Sequence, residues 1–465
     1  MTHPSRAKLC FGIVGLLGGG LFFTGCDGGD GWDEIDSGSA TGGAGGGESG
    51  TGGRSGTGGQ SGTGGASGRG GSSSAGGRSG TGGSSRTGGR SGAGGRPGTG
   101  GGSGSGGTPG AGGASLPGDG GPGPDATAGP ETGGGGEAGV RLEGRFDMTD
   151  ATKPAFSWSG SAMLARFQGT GATLRIEGSP NFFTVVVDGT VASQVLKVTS
   201  GTTKYTLATG LPAGEHEVSV WKRTEGNQGD NRFVGIDVTD GQLLAPPAAP
   251  ERRIEIYGDS ITAGYGLDGN GPNCSWSADT ENHYLTYGAL AARELGADLH
   301  TIAWSGIGMY RNYGEAGPST DNMPAVYARV LAAKASPTWD FATWQPHAVV
   351  INLGTNDAST KGDPGTPYRT NYLEFVRTLR GKYPDTFFVL TIGPMLDGSD
   401  LAAIKGHIQD VIKTRGSEGD SKMSFLEFPV QSQDDGMGCD WHPSAKTNAK
   451  MAALLTAELK TRLGW

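Results

Sequence analysis

The sequence is poor in cysteine, with 4 in 465 residues, and no two of them form a C-x-x-C pair. That excludes a zinc site of the paired-cysteine type. It has no run of about 18 apolar residues, which excludes a polytopic membrane protein. Positive charge is in deficit: 37 Lys and Arg against 46 Asp and Glu leave a net charge of −9. A nucleic-acid binder working through a basic surface is therefore disfavoured. Hydrophobic residues make up only 34% of the chain, but the shortage is local. Of 93 glycines, 47 fall in residues 36–138. That tract lacks a sustained G-X-Y period, which excludes collagen. Residues 139–465 have near-ordinary composition and are long enough for two cores.

Residues 1–26 read as an export signal. Arg6 and Lys8 precede an apolar stretch, residues 11–23, too short and too glycine-rich to span a bilayer. It ends in Phe23-Thr24-Gly25-Cys26, which resembles a bacterial lipoprotein lipobox with Phe in place of the usual Leu. On that reading Cys26 carries the lipid that anchors an exported protein to a membrane. The alternative is an ordinary secretory signal with a coincidental Cys. Cys10 leaves with the signal, so Cys274 and Cys439 remain as a pair in an oxidising compartment. They are either joined in a disulfide or free as two buried thiols. Residues 27–138 repeat Ser/Thr-Gly-Gly and hold too little apolar surface to fold. They are expected to be a disordered tether with a reach of ~50–60 Å.

Residues 139–250 have a β texture. Short runs rich in Val, Ile, Phe and Thr are separated by turns such as Asp188-Gly189 and Asp240-Gly241. This spacing predicts a β-sandwich or jelly roll. Pro246, Pro247 and Pro250 mark a boundary. Residues 251–465 then alternate strand and helix. Strands are predicted at 253–257, 299–304, 348–353, 387–392 and 423–428. Helices are predicted at 284–295, 324–333, 368–382, 400–415 and 444–463. Five such units imply an α/β fold with a doubly wound, flavodoxin-like parallel sheet, whose ligands bind at the carboxyl ends of the strands.

Four blocks fall at those ends. Gly258-Asp259-Ser260 follows the first strand, and Ser305-Gly306-Ile307-Gly308 the second. Gly354-Thr355-Asn356-Asp357 follows the third, and Asp440-Trp441-His442-Pro443 precedes the last helix. Alone, Gly-Asp-Ser is most simply a helix cap. Together the blocks offer a hydroxyl nucleophile, amide donors and an imidazole base. In their order they resemble the signature blocks of the SGNH (GDSL-like) hydrolase superfamily. The preceding β region, with "FSWSGSAMLARFQGT" and "HEVSVWKRTEGNQG", resembles the N-terminal jelly roll of carbohydrate esterase family 2.

The resemblance implies a serine esterase that removes O-acetyl groups from xylan- or glucomannan-type polysaccharide, with no metal and no organic cofactor. It implies Ser260 as nucleophile and His442 as general base. The Ser260 and Gly306 backbone N–H groups and the Asn356 amide would form the oxyanion hole. The superfamily usually carries an Asp three residues before the His. Cys439 stands there instead, and Asp440 is two before. Asp440 is thus one choice for the third triad member, and a backbone carbonyl is the other. Among the aromatics Trp276, Trp304, Tyr310, Tyr313 and Trp441, the expected sugar-binding residues are Trp441 and Tyr310. Two other functions stay open: an esterase of peptidoglycan, lipid or small-molecule esters, and a non-catalytic surface glycan-binding protein.

Overall fold

Alternating side chains shape the β-rich part of the chain, residues 139–250. Strand β3 (Ala162–Gly169) buries every second residue, as a strand with one face on a core must. The computed structural model describes residues 139–465. The expected signal (1–26), the lipidated Cys26 and the tether (27–138) lie outside the described residues.

Residues 140–243 form an antiparallel sandwich. Its first sheet runs β1 (Val140–Glu143), β3, β9 (Gly214–Lys222), β5 (Asn181–Val187) and β6 (Thr190–Val191). In it β7 (Leu196–Val198) pairs with β5, and β11 (Gln242–Leu243) with β3. The second sheet is β2 (Ala155–Phe156), β10 (Asn231–Thr239), β4 (Gly171–Gly178) and β8 (Lys204–Ala208). Phe156, Phe167, Phe183, Leu174 and Phe233 fill the space between the sheets.

Residues 252–465 form the expected α/β half. Five parallel strands lie in the order β13 (Ala297–Ala303), β12 (Arg252–Gly258), β14 (Ala348–Asn352), β15 (Phe387–Ile392) and β16 (Met423–Glu427). This 2-1-3-4-5 order is that of a flavodoxin-like sheet. All residues of β13 and β14 are buried; β14 reads as an almost continuous apolar run, while β13 also buries Asp298, His300 and Thr301. Helices α2 (Tyr287–Leu295) and α7 (Ala445–Leu463) cover one face. Helices α5 (Thr366–Lys382) and α6 (Gly398–Ser417) cover the other.

One expected helix is largely absent. Over residues 324–333 only a single turn forms, α3 (Met323–Val326). Side chains of the sandwich take the backbone groups that a longer helix would need. Arg145 donates to the Tyr327 and Arg329 carbonyls, Trp158 Nε1 donates to the Arg329 carbonyl, and the Ala332 N–H donates to Ser157 Oγ.

All described residues fall in one compact unit. The two halves are joined by buried polar contacts. Arg145 Nη2 lies 2.7 Å from Glu255 Oε1 on β12, both fully buried. The hydroxyls of Tyr257 and Tyr383 donate to Glu255 Oε2 at 2.6 and 2.7 Å. Arg141 is shared by Glu143 and Asp298, and the Leu299 N–H donates to Glu143 Oε1. With one guanidinium against two carboxylates, burial and the Asp298 charge push Glu143 up to about 8.

Candidate active site

The sheet ends at one edge, and four loops meet there. After β12 the chain makes one helical turn, α1 (Ser260–Ala263), capped by Asp259, whose Oδ1 accepts from the Ile261 N–H at 3.0 Å. Gly258 serves this turn through close approach. A Cβ there would lie 2.0 Å from Thr262 Oγ1. Because α1 is one turn long, it offers individual N–H groups rather than an extended helix dipole. Ser260 is its first residue, so its N–H has no partner within the helix.

His442 Nε2 stands 2.8 Å from Ser260 Oγ. On the other side of the ring, Nδ1 lies 3.1 Å from the carbonyl oxygens of both Cys439 and Asp440. A carbonyl only accepts, so Nδ1 carries the proton and Nε2 presents its lone pair to the serine hydroxyl. Burial holds the imidazole down to about 4, against the opposing pull of the two carbonyls. At neutral pH the ring is uncharged and can take a proton.

Asp440 does not hold the ring through its carboxylate. Its Oδ2 accepts from Tyr265 OH at 2.8 Å and from the Trp276 N–H at 3.0 Å. The reason is backbone geometry. Asp440 and Trp441 have φ of +50° and +63°, a left-handed turn that sends the side chain away and the carbonyl toward the imidazole. Of the two choices left open by the sequence, peptide oxygens and not the Asp440 carboxylate face the imidazole. The Tyr265 ring lies 4.2 Å from the His442 ring, centroid to centroid.

The loop is tied down at several points. Cys274 and Cys439 are joined by a disulfide. The Asp440 N–H donates to the Cys274 carbonyl, the Cys439 N–H to the Gly266 carbonyl, and the Gly438 N–H to the His442 carbonyl.

The remaining expected donors sit close by, in differing states. Gly306 has φ +80°, which glycine adopts without strain, and its carbonyl accepts from the Tyr313 N–H at 2.8 Å. Asn356 lies on the one-turn helix α4 (Thr355–Ala358). Its amide donates to the Ile307 carbonyl at 2.8 Å and to Asp259 Oδ2 at 3.3 Å. Both amide protons are therefore engaged here, the second through a longer contact. Burial, helped by the neighbouring Asp357 charge, pushes Asp259 up to about 7.

Asp357 closes the Gly354-Thr355-Asn356-Asp357 block. Its carboxylate accepts from the N–H groups of Met309, Tyr310 and Arg311 at 2.7–2.9 Å, fixing the loop that follows Gly306. Its position next to Asn356 is the one feature of the sequence that marks it. Of the expected sugar-binding aromatics, Trp441 is 51% exposed beside His442. Tyr310 instead packs against the core. Tyr313 is 60% exposed, with its Cβ 3.9 Å from where a Gly306 side chain would begin. Trp304 is half-buried against the same core, and the Trp276 ring lies near Tyr265.

Among the described residues no group of three or more His, Cys, Asp or Glu is placed to hold a metal ion.

Residues 142–247 match the family Carbohydrate esterase 2 N-terminal, and residues 256–450 match the GDSL-like Lipase/Acylhydrolase family. The structure of a family two carbohydrate esterase from Clostridium thermocellum in complex with cellohexaose is similar at 40% identity and a TM-score of 0.68. The match covers 70% of this chain and 100% of that one. The Cellulase/esterase CelE of Acetivibrio thermocellus is 41% identical over 330 residues, which is 70% of this chain and 40% of that protein. The chain thus spans well under half of that relative's length. An acetylxylan esterase / glucomannan deacetylase of Cellvibrio japonicus is 28% identical over 337 residues, 70% of this chain and 89% of that protein. With a solved relative covered end to end at 40% identity, and with each family match falling on one folded half, the chain belongs to carbohydrate esterase family 2.

Proposed function

We propose that this protein is an exported serine esterase that removes O-acetyl groups from xylan- or glucomannan-type polysaccharide through a Ser260–His442 dyad. The observation that carries the reading is the line from two backbone carbonyls through His442 to Ser260 Oγ. The name of the Cellvibrio japonicus relative supports the substrate class. Ser260 Oγ attacks the acetyl carbonyl carbon while its proton passes to His442 Nε2. The two carbonyls on Nδ1 stabilise the imidazolium, as a triad carboxylate would. The oxyanion of the tetrahedral intermediate draws on the N–H groups of Ser260 and Gly306. The Asn356 amide becomes a third donor when it exchanges its longer contact, to Asp259, for the oxyanion. His442 then protonates the departing sugar oxygen, leaving an acetyl ester on Ser260. Water attacks that ester, gives its proton to His442, and acetate leaves as the serine hydroxyl re-forms. Trp441 and Tyr313 are the sugar-facing aromatics in this reading.

The same proposal covers the remainder of the chain. Residues 1–26 are an export signal, Cys26 the lipidated anchor, 27–138 a tether, 139–250 the jelly roll and 251–465 the catalytic domain. The test is acetate release from acetylated xylan and acetylated glucomannan by the whole chain and by its Ser260→Ala variant. Release that falls by about 10⁴–10⁶-fold in the variant supports the dyad. A folded wild-type chain that binds these polymers without releasing acetate would instead support the glycan-binding function. For the anchor, Cys26→Ser should move the protein from the membrane fraction to the soluble one.

A further inference from the structure

The jelly roll reaches into the active site at one point. After β9 the chain continues as Arg223-Thr224-Glu225, and Glu225 is buried against the α/β half. Its Oε2 accepts a hydrogen bond from the Ser305 N–H at 2.6 Å. Ser305 directly precedes Gly306, so Glu225 ties the peptide unit just before the one that carries the Gly306 N–H. The peptide unit just after it is tied by the Tyr313 N–H, which donates to the Gly306 carbonyl at 2.8 Å. Between the two, a glycine at φ +80° would otherwise rotate with little resistance.

Glu225 is itself held. The fully buried Lys222 ammonium donates to the Thr224 carbonyl at 2.6 Å and to the Glu225 carbonyl at 3.0 Å. The Gln228 N–H donates to the same Glu225 carbonyl. Thr224 Oγ1 donates to Asn181 Oδ1 on β5. Arg223 Nε donates to the Glu281 carbonyl of the α/β half, and the Arg223 guanidinium pairs with Asp268. A buried carboxylate is costly unless it is bonded, and here the bond it makes is to the loop that carries an oxyanion donor.

We propose that Glu225 is a positioning residue. The jelly roll, through this one carboxylate, sets the direction of the Gly306 N–H and so completes the oxyanion hole of the other domain. The inference rests on the esterase reading above. Glu225 touches neither substrate nor reacting atoms, so its loss should be felt where the oxyanion forms and not in ground-state binding.

The test uses the whole chain with 4-nitrophenyl acetate as substrate and a boronic acid as inhibitor, since its adduct with a serine oxygen is a tetrahedral anion. In Glu225→Ala, kcat should fall about 10–100-fold, KM should stay within about threefold, and boronate affinity should weaken in step with kcat. Glu225→Gln keeps an acceptor oxygen for the Ser305 N–H and should recover most of the loss. If Glu225→Ala does not fold, Glu225→Asp decides, because it keeps the charge but withdraws the oxygen by one methylene. Unchanged kcat and boronate affinity in a folded variant overturn the inference while leaving the esterase reading intact. A lowered melting temperature without weaker boronate binding also overturns it, since that is the signature of a packing role. A wild-type chain without ester turnover removes the esterase reading and this inference with it.

Discussion

The backbone carbonyl of Cys439 accepts from His442 Nδ1, and the sulfur of the same Cys439 is bonded to Cys274. The cross-link therefore ends on one of the two residues whose carbonyls orient the His442 ring. It also closes a loop of 165 residues, which restrains the unfolded chain. Replacing both cysteines by serine should cost about 2–5 kcal/mol in denaturant unfolding. It should also lower kcat, because the Cys439 carbonyl loses its fixed position. Unchanged kcat would show that the Gly266 and His442 backbone bonds hold the loop without the bridge.

The Asp440 carboxylate faces Tyr265 and Trp276, and its carbonyl faces His442. Asp440→Asn should therefore reduce kcat/KM by about tenfold or less. Loss of a true triad carboxylate costs ~10⁴ in kcat. A loss near that larger value would mean that the carboxylate swings to the imidazole during catalysis.

Burial holds His442 to about 4. In the proposed mechanism its neutral form is the base, so activity should be retained as pH falls from neutral and lost on protonation below about 4. On a soluble ester, log kcat/KM should be flat above that point and fall by one per pH unit below it. An inflection at the ordinary histidine value, about 6.5, would mean that water reaches the ring in solution. A step near 7 would report Asp259, whose Oδ2 accepts from Asn356.

Arg145 and Glu255 form a fully buried ion pair between the two halves. Arg145→Met leaves Glu255 with its two tyrosine donors but without a countercharge. The expected loss is about 3–5 kcal/mol in denaturant unfolding. Adding Glu255→Leu should return part of it, because the double variant buries no unpaired charge. A double variant no more stable than Arg145→Met would show that the loss of the Tyr257 and Tyr383 hydroxyl acceptor outweighs the relief of the unpaired carboxylate.

Much of the second half was legible because its elements are locally coded. Residues 387–392 read as a strand from their own apolar run, and the structure has β15 over the same residues. Such strands are buried on both faces, so they need no long-range information to be recognised. Residues 324–333 carried an equally helical pattern and failed. The groups that compete for their backbone, Arg145, Ser157 and Trp158, are about 170–190 positions away in the chain. The site divides the same way. Ser260, Gly306, Asn356 and His442 follow strand ends and could be picked from the sequence by position. Glu225 stands in an unremarkable turn of the other domain, and only its contact with Ser305 gives it a place.

The sequence by itself determined the layered α/β sheet, the β-rich half before it, and which residue types gather at the sheet's carboxyl edge. Hydrophobic period and turn glycines carry that information within a window of some ten residues. Tertiary structure alone decided that two peptide oxygens and not the Asp440 carboxylate orient His442, because backbone dihedrals aim a side chain and spacing in sequence does not. It also decided that the jelly roll holds the loop of Gly306, because a hydrogen bond across 80 residues exists only once both halves have packed.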